Sequence, residues 1–117
     1  MLVPSQLTVR MQSRTLEISF GDTLQFSLPF EFLRVYSPSA EVRGHGPGQE
    51  TLQTGKKEID IVALDPVGTY AVQPRFSDGH ATGIYSWDYL YELGANRDAL
   101  WQDYLERLRR SGARREP

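Results

Sequence analysis

The chain has 117 residues, 39% hydrophobic and 24% charged, a composition suited to one globular domain that buries roughly two thirds of its unfolded surface. It contains no cysteine, which removes disulfides, thiolate metal sites, iron–sulfur ligation and cysteine nucleophiles by inventory. The formal net charge of -2 gives no general attraction to nucleic acid, and no apolar run approaches the ~18 residues of a membrane span, so a cytoplasmic protein without nucleic-acid or membrane partners is expected.

Period-two alternation dominates the first part of the chain. Leu7, Val9 and Met11, then Leu16, Ile18 and Phe20, then Leu24, Phe26 and Leu28 are each separated by one polar residue, predicting three strands with one buried face. Ser13-Arg14 is placed to turn the first pair, and Gly21-Asp22 the second. Pro29 ends the third strand. Phe30 and Leu33, with the stem of Arg34, then fall at helical spacing, predicting a short helix to Tyr36 before Pro38 forbids continuation. Residues 44–55 have loop composition, with Leu52 the single aliphatic residue.

Ile59, Ile61 and Ala63 alternate again, Asp65 to Gly68 reads as a turn, and Tyr70, Val72, Pro74 and Phe76 form the return strand. Pro74 cannot donate to a ladder, which places that strand at an edge or a bulge. Asp78-Gly79 marks another turn and Ile84-Tyr85 is extended. Ser86 then caps a helix from Trp87 to Leu93, closed by Gly94. Asn96 is the expected cap of a last helix with the apolar stripe Leu100, Trp101, Tyr104, Leu105 and Leu108, ended by Gly112.

Strands come first and helices last, predicting an α+β fold: a mainly antiparallel sheet with short helices and a C-terminal helix packed on it. Residues 7–112 form the expected domain. Arg107, Arg109, Arg110, Arg114 and Arg115 read as a helix end favoured by its dipole, followed by a disordered basic tail over 113–117.

Candidate chemistry concentrates in two segments. Arg43-Gly44-His45-Gly46-Pro47-Gly48 can present backbone N–H groups beside a guanidinium, a combination suited to phosphate or carboxylate, although a loop that needs glycine only to turn explains it as well. It lacks the Gly-Lys-Ser/Thr of a P-loop. His45 and His80 are the only imidazoles, and a metal reading would join them to Asp78, Glu41 or Asp88. The plainer alternative leaves His80 in a local hydrogen bond and His45 exposed. Trp87, Leu90 and Tyr91 share a helical face directed to the core, while Tyr85 or Tyr89 is a candidate for an exposed recognition patch. For Ser37, Ser39 and Ser86 the sequence offers no His–Asp pairing, so hydrolase chemistry has little support.

Leu33-Arg34-Val35-Tyr36-Ser37-Pro38-Ser39-Ala40-Glu41-Val42-Arg43-Gly44-His45-Gly46-Pro47-Gly48 and Asp78-Gly79-His80-Ala81-Thr82-Gly83-Ile84-Tyr85-Ser86-Trp87-Asp88-Tyr89-Leu90 together resemble the DUF971 family, the gamma-butyrobetaine hydroxylase-like N-terminal domains. The resemblance runs from about Leu7 to Arg110. In the hydroxylases that name the family, it implies a domain that precedes a 2-oxoglutarate- and iron-dependent catalytic domain. That domain binds a structural zinc through three cysteines, patterned Leu-Arg-x-x-Cys-x-Cys-x-x-Cys, and a histidine. The matching positions here are Ser37, Ser39, Val42 and His80, so one ligand of four carries over. Related domains appended to P-loop ATPases that act as iron–sulfur carriers imply an accessory role near iron chemistry.

Two functions are therefore expected to compete. The first is a non-catalytic accessory module that presents Arg43, Gly44, His45, Gly46 and Gly48 with Asp78 to a protein or a small anionic ligand. The second is a protein that holds iron or zinc through His80 and His45 in support of iron–sulfur or hydroxylase chemistry.

Overall fold

In the computed structural model, which describes residues 2–117, the alternating residues of the N-terminal segment do face one core. Strands β1 (Gln6–Arg10), β2 (Thr15–Phe20) and β3 (Leu24–Pro29) pair antiparallel in the order β1-β2-β3. The register sets Val9 opposite Leu16 and Ile18 opposite Phe26, so the apolar side chains of neighbouring strands stack on one face. Met11, expected in the first strand, lies instead in the turn and is exposed. Arg14 closes that turn with φ +54°, a left-handed conformation unusual for a residue with a Cβ. Its guanidinium holds Asp60 at 2.9 Å and Glu58 at 3.0 Å, and its carbonyl accepts from Phe30 N–H at 2.9 Å. These contacts tie the turn to the second half of the chain and hold the unfavourable backbone in place.

The expected α+β fold with antiparallel strands and a C-terminal helix is present, its six strands among the described residues shared equally between two sheets. A second antiparallel sheet has the order β4 (Ile61–Val67), β5 (Ala71–Phe76) and β6 (Tyr85–Ser86). Asp65 and Pro66, expected to turn, stay in β4, and the chain reverses at Gly68–Tyr70. Proline is tolerated there because β4 is an edge strand. Pro74 is accommodated similarly: β6 pairs only with Ala71 and Val72, which leaves the Pro74 stretch of β5 partnered by β4 alone.

Helix α1 (Phe30–Val35) follows β3 directly, and α2 (Ala40–Arg43) was not anticipated; Ser39 caps it by accepting from Glu41 N–H at 3.2 Å. Helices α3 (Trp87–Ala95) and α4 (Arg97–Ser111) complete the domain. Ser86 caps α3 as expected, through Tyr89 N–H at 3.1 Å. Asn96 does not cap α4 with its side chain, which turns back to donate to Glu92 O at 2.9 Å. Gly94 lies inside α3 and does not end it. A Cβ there would sit 2.3 Å from the Phe26 ring, so glycine allows α3 to approach β3.

The main core joins both sheets with α1 and α3 through Leu16, Ile18, Leu28, Phe32, Val72 and Leu90, and Leu100 and Trp101 of α4 pack against it. Tyr104 and Leu108 form a smaller cluster with Val35. Gly112, at φ +72°, stops α4 in a left-handed cap. In residues 113–117, Arg114 O accepts from Gly55 N–H at 2.9 Å and Arg115 O from Lys57 N–H at 3.0 Å. The tail is retained because Arg115 neutralises Glu31, a carboxylate only 7% exposed.

Candidate functional site

The two motifs meet where the α1–α2 connection faces the turn after β5. Phe76 N–H donates to His80 O at 2.9 Å and Gly79 N–H to Phe76 O at 3.0 Å, which closes the Asp78-Gly79-His80 turn. Gly79, at φ +90°, supplies the backbone that the turn requires. His80 is thereby directed into the interior and is 6% exposed. Pro38 fixes the α1–α2 connection between Ser37 and Ser39, both buried.

Ser37 Oγ lies 2.8 Å from His80 Nε2, and Glu41 Oε2 lies 3.2 Å from His80 Nδ1. A carboxylate only accepts, so the network assigns the imidazole proton to Nδ1 and makes the Ser37 hydroxyl the donor to Nε2. Ser37 Oγ in turn accepts from Ser39 N–H at 3.3 Å. Ser39 Oγ accepts from Glu41 N–H and lies 2.6 Å from Thr82 Oγ1, a hydroxyl pair in which either oxygen can donate. Burial, assisted by the nearby Arg34 guanidinium, pushes the His80 imidazole below its ordinary value against the opposing pull of Glu41. Neutral imidazole is what the Ser37 hydrogen bond needs.

Asp78 anchors the turn from the other side. Its Oδ1 accepts from His80 N–H at 3.1 Å, and its Oδ2 accepts from Arg34 Nε at 2.9 Å and Lys56 Nζ at 2.6 Å. Partial burial raises the carboxyl, but the Lys56 and His80 hydrogen bonds and the Arg34 charge outweigh it and hold Asp78 at about 2. The Arg34 side chain is 8% exposed, and its NH1 has no hydrogen-bond partner among the described residues. Neither Arg34 nor Lys56 was identified from the sequence as part of the site. The signal available was a charged residue on the apolar face of the α1 pattern, which is rare without a buried partner.

For Ser37 the sequence offered no His–Asp pairing, and the structure supplies a His–Glu one: Ser37, His80 and Glu41 are connected as a nucleophile–base–carboxylate chain. Access decides against that chemistry. Ser37 is 0% exposed, and a Cβ on Gly83 would lie 2.4 Å from its Oγ, so the nucleophile position is covered by backbone. The same donor set does not fit the structural zinc implied by the resemblance. Ser37 and Ser39 bring neutral hydroxyls and Val42 an alkyl group where thiolates are required, and both His80 nitrogens are engaged. Among the described residues no three His, Cys, Asp or Glu side chains gather as a metal-binding group, and no hydrogen bond joins His45 to His80.

The glycine loop is folded on itself. Gly44, at φ +73°, donates its N–H to Ala40 O at 2.8 Å, and a Cβ there would collide with Gln49 O at 2.4 Å. His45 N–H donates to Gln49 Oε1 at 3.3 Å, and Gln49 N–H to Gly46 O at 3.1 Å. Of the amides expected to cradle an anion, Gly44 and His45 are thus used internally. The Arg43 guanidinium stays exposed, 5.4 Å from the Tyr89 ring centroid. Among the described residues, no hydrogen bond joins residues 43–49 to Asp78 or His80; Glu41 makes the link from α2. Tyr85, one candidate for an exposed patch, is fully buried and donates to Leu33 O, while Tyr89 is half-buried.

Beside Arg43 opens a cleft of about 180 Å³ between the α1–α2 connection and α4, lined by Val42, Arg43, Leu52, Tyr89, Tyr104 and Arg107. Arg107 donates to the Tyr36 hydroxyl at 3.2 Å, and its Nε lies 3.2 Å from Asp103 Oδ2. A larger depression of about 330 Å³, between β3 and the α3–α4 junction, carries none of the motif residues.

A family profile described as gamma-butyrobetaine hydroxylase-like, N-terminal, matches residues 7–91. No curated protein matches the chain. Two proteins solved in solution by NMR are similar over all of it: one is 46% identical with a TM-score of 0.87 and 92% of its own chain covered, the other 52% identical with 0.84 and 87%. A crystallised protein of unknown function from Acidithiobacillus ferrooxidans, of the DUF971 family, is 41% identical with a TM-score of 0.66, over 79% of this chain and 92% of that one. The chain belongs to the gamma-butyrobetaine hydroxylase-like N-terminal, or DUF971, family.

Proposed function

We propose that this domain is a non-catalytic binding module that takes a small anion or a carboxylate of a partner protein at the cleft beside Arg43. The observation that carries this reading is the disposition of the two motifs. The four positions that form the family's metal site are closed by Ser37–His80 and Ser39–Thr82 hydrogen bonds and by burial of Val42, so they serve to hold the scaffold. The Arg43 guanidinium next to them is exposed, positioned over Tyr89 and faces a cleft with a second guanidinium on its lining. An arginine oriented by an aromatic face offers a fork to an oxyanion with little further ordering. Glu41, two residues before Arg43, holds the Asp78–His80 turn through His80, and accessory service to iron-dependent chemistry is the role the family suggests.

NMR titration of the labelled protein with phosphate, a dicarboxylate, Zn(II) and Fe(II) tests the proposal. Phosphate or dicarboxylate should shift Arg43, Tyr89 and Arg107. Arg43→Ala should weaken binding by roughly 1.5–3 kcal/mol, the range for a hydrogen bond to a charged group, with Arg43→Lys recovering only part. A response confined to the basic tail, or a stronger one at His80 and His45 to either metal, would sink the anion reading.

A further inference from the structure

A second site lies on another surface of the fold. Glu31, in the first turn of α1, is 7% exposed and accepts two parallel hydrogen bonds from Arg115, from Nε at 2.8 Å and Nη2 at 2.7 Å. The same guanidinium lies 5.1 Å from the Trp101 ring centroid. A planar fork on a carboxylate with an aromatic face against it selects arginine over lysine, because an ammonium can neither bond both oxygens in one plane nor stack. Around this contact the main chain is held as well: Gly55 N–H donates to Arg114 O at 2.9 Å and Lys57 N–H to Arg115 O at 3.0 Å, while Ala113 packs at the edge of the Tyr104 cluster. The side chains of Arg114 and Glu116 are exposed, so most of the side-chain specificity rests on one arginine.

We infer that Glu31, Trp101 and the amides of Gly55 and Lys57 form a binding site for an extended, arginine-bearing segment of a partner protein, which the chain's own tail fills in cis. Two features of the fold make exchange workable. The tail leaves α4 at Gly112, whose left-handed cap ends the helix, so the tail can detach without unwinding it. A detached tail also strips Glu31 of its counter-ion and opens the carboxylate to other groups, of which a second guanidinium restores the same two hydrogen bonds. The pocket therefore trades one guanidinium for another. Because the tethered tail competes at a high effective concentration, a natural partner prevails through contacts beyond the single arginine. This surface is separate from the Arg43 cleft, and its test does not depend on the outcome there.

The test uses the full chain carrying Arg115→Ala and a blocked peptide with the sequence of residues 113–117, followed by NMR. The peptide should shift the Trp101 indole and the Gly55 and Lys57 amides of the variant, with wild type responding at least tenfold more weakly because its own tail occupies the site. Lysine in place of the peptide's second arginine should weaken binding at least tenfold, and adding Glu31→Gln to the variant should abolish it. Should Arg115→Ala prove too unstable, Arg115→Lys keeps a charge near Glu31, and the arginine peptide alone should raise its melting temperature. Equal binding of the lysine peptide, equal binding by wild type, or no response at Trp101 would overturn the inference. A doubling of mass by light scattering for the unmodified chain, lost in Arg115→Ala, would make the occupant a second copy instead of a partner.

Discussion

Ser37 Oγ and His80 Nε2, 43 residues apart in sequence, meet at 2.8 Å in the interior and pin the α1–α2 connection to the turn after β5. Their hydrogen bond stands where the family's resemblance pattern places a metal. Ser37→Ala would leave a buried ring nitrogen without its donor and should cost about 1–3 kcal/mol in a urea unfolding curve.

The purified protein should accordingly contain no stoichiometric zinc and should keep its fold in chelator, measured by elemental analysis and circular dichroism. The triple variant Ser37→Cys, Ser39→Cys, Val42→Cys restores a three-thiolate, one-imidazole donor set of the kind that binds Zn(II) tetrahedrally, and about one zinc per chain is expected of it. Zinc in the unmodified protein, with unfolding after its removal, would contradict this account of the pocket.

Stability should depend on pH through His80. Its folded value lies below the ordinary 6.5, so as the pH falls through that value the unfolded chain takes up a proton first and stability declines until the folded imidazole also titrates. The groups facing the ring are Glu41, Arg34 and Asp78. Asp78 adds a separate loss in acid, beginning near its ordinary 3.8 and complete below about 2. His80→Gln should flatten the decline below pH 6.5 while the acid limb persists, as read from urea midpoints between pH 2 and pH 8.

Gly94→Ala is expected to destabilise although alanine is favoured by about 1 kcal/mol within a helix. Its Cβ would lie 2.3 Å from the Phe26 ring, and the overpacking should cost ~1–3 kcal/mol. Combining it with Phe26→Leu should recover part of the loss. Additive effects in the double-mutant cycle would show that the two side chains do not meet.

Helix α4 should be indispensable to the fold. Leu108→Ala, which removes a side chain from the cluster with Val35 and Tyr104, should cost about 2–5 kcal/mol, and a chain ended after Gly94 should lose cooperative unfolding. Dispersed amide resonances and an unchanged melting temperature in the truncated chain would make α4 an independent arm.

The local order of this protein was legible in its sequence by itself. Alternation at Leu16, Ile18 and Phe20 determined a strand with one buried face, Pro38 the break after α1, Ser86 the cap of α3, and Gly112 the end of α4, because each acts on backbone within a few residues. The tertiary structure decided everything that depends on which surfaces meet. It divided the strands into two sheets, kept Asp65-Pro66 in β4, and turned Gly94 from a helix terminator into clearance for Phe26. It also matched charges over long separations: Arg34 with Asp78, and Arg115 with Glu31 across 84 residues. No periodicity records such pairs, since a buried charge is tolerated only once the fold has brought its counter-ion to it.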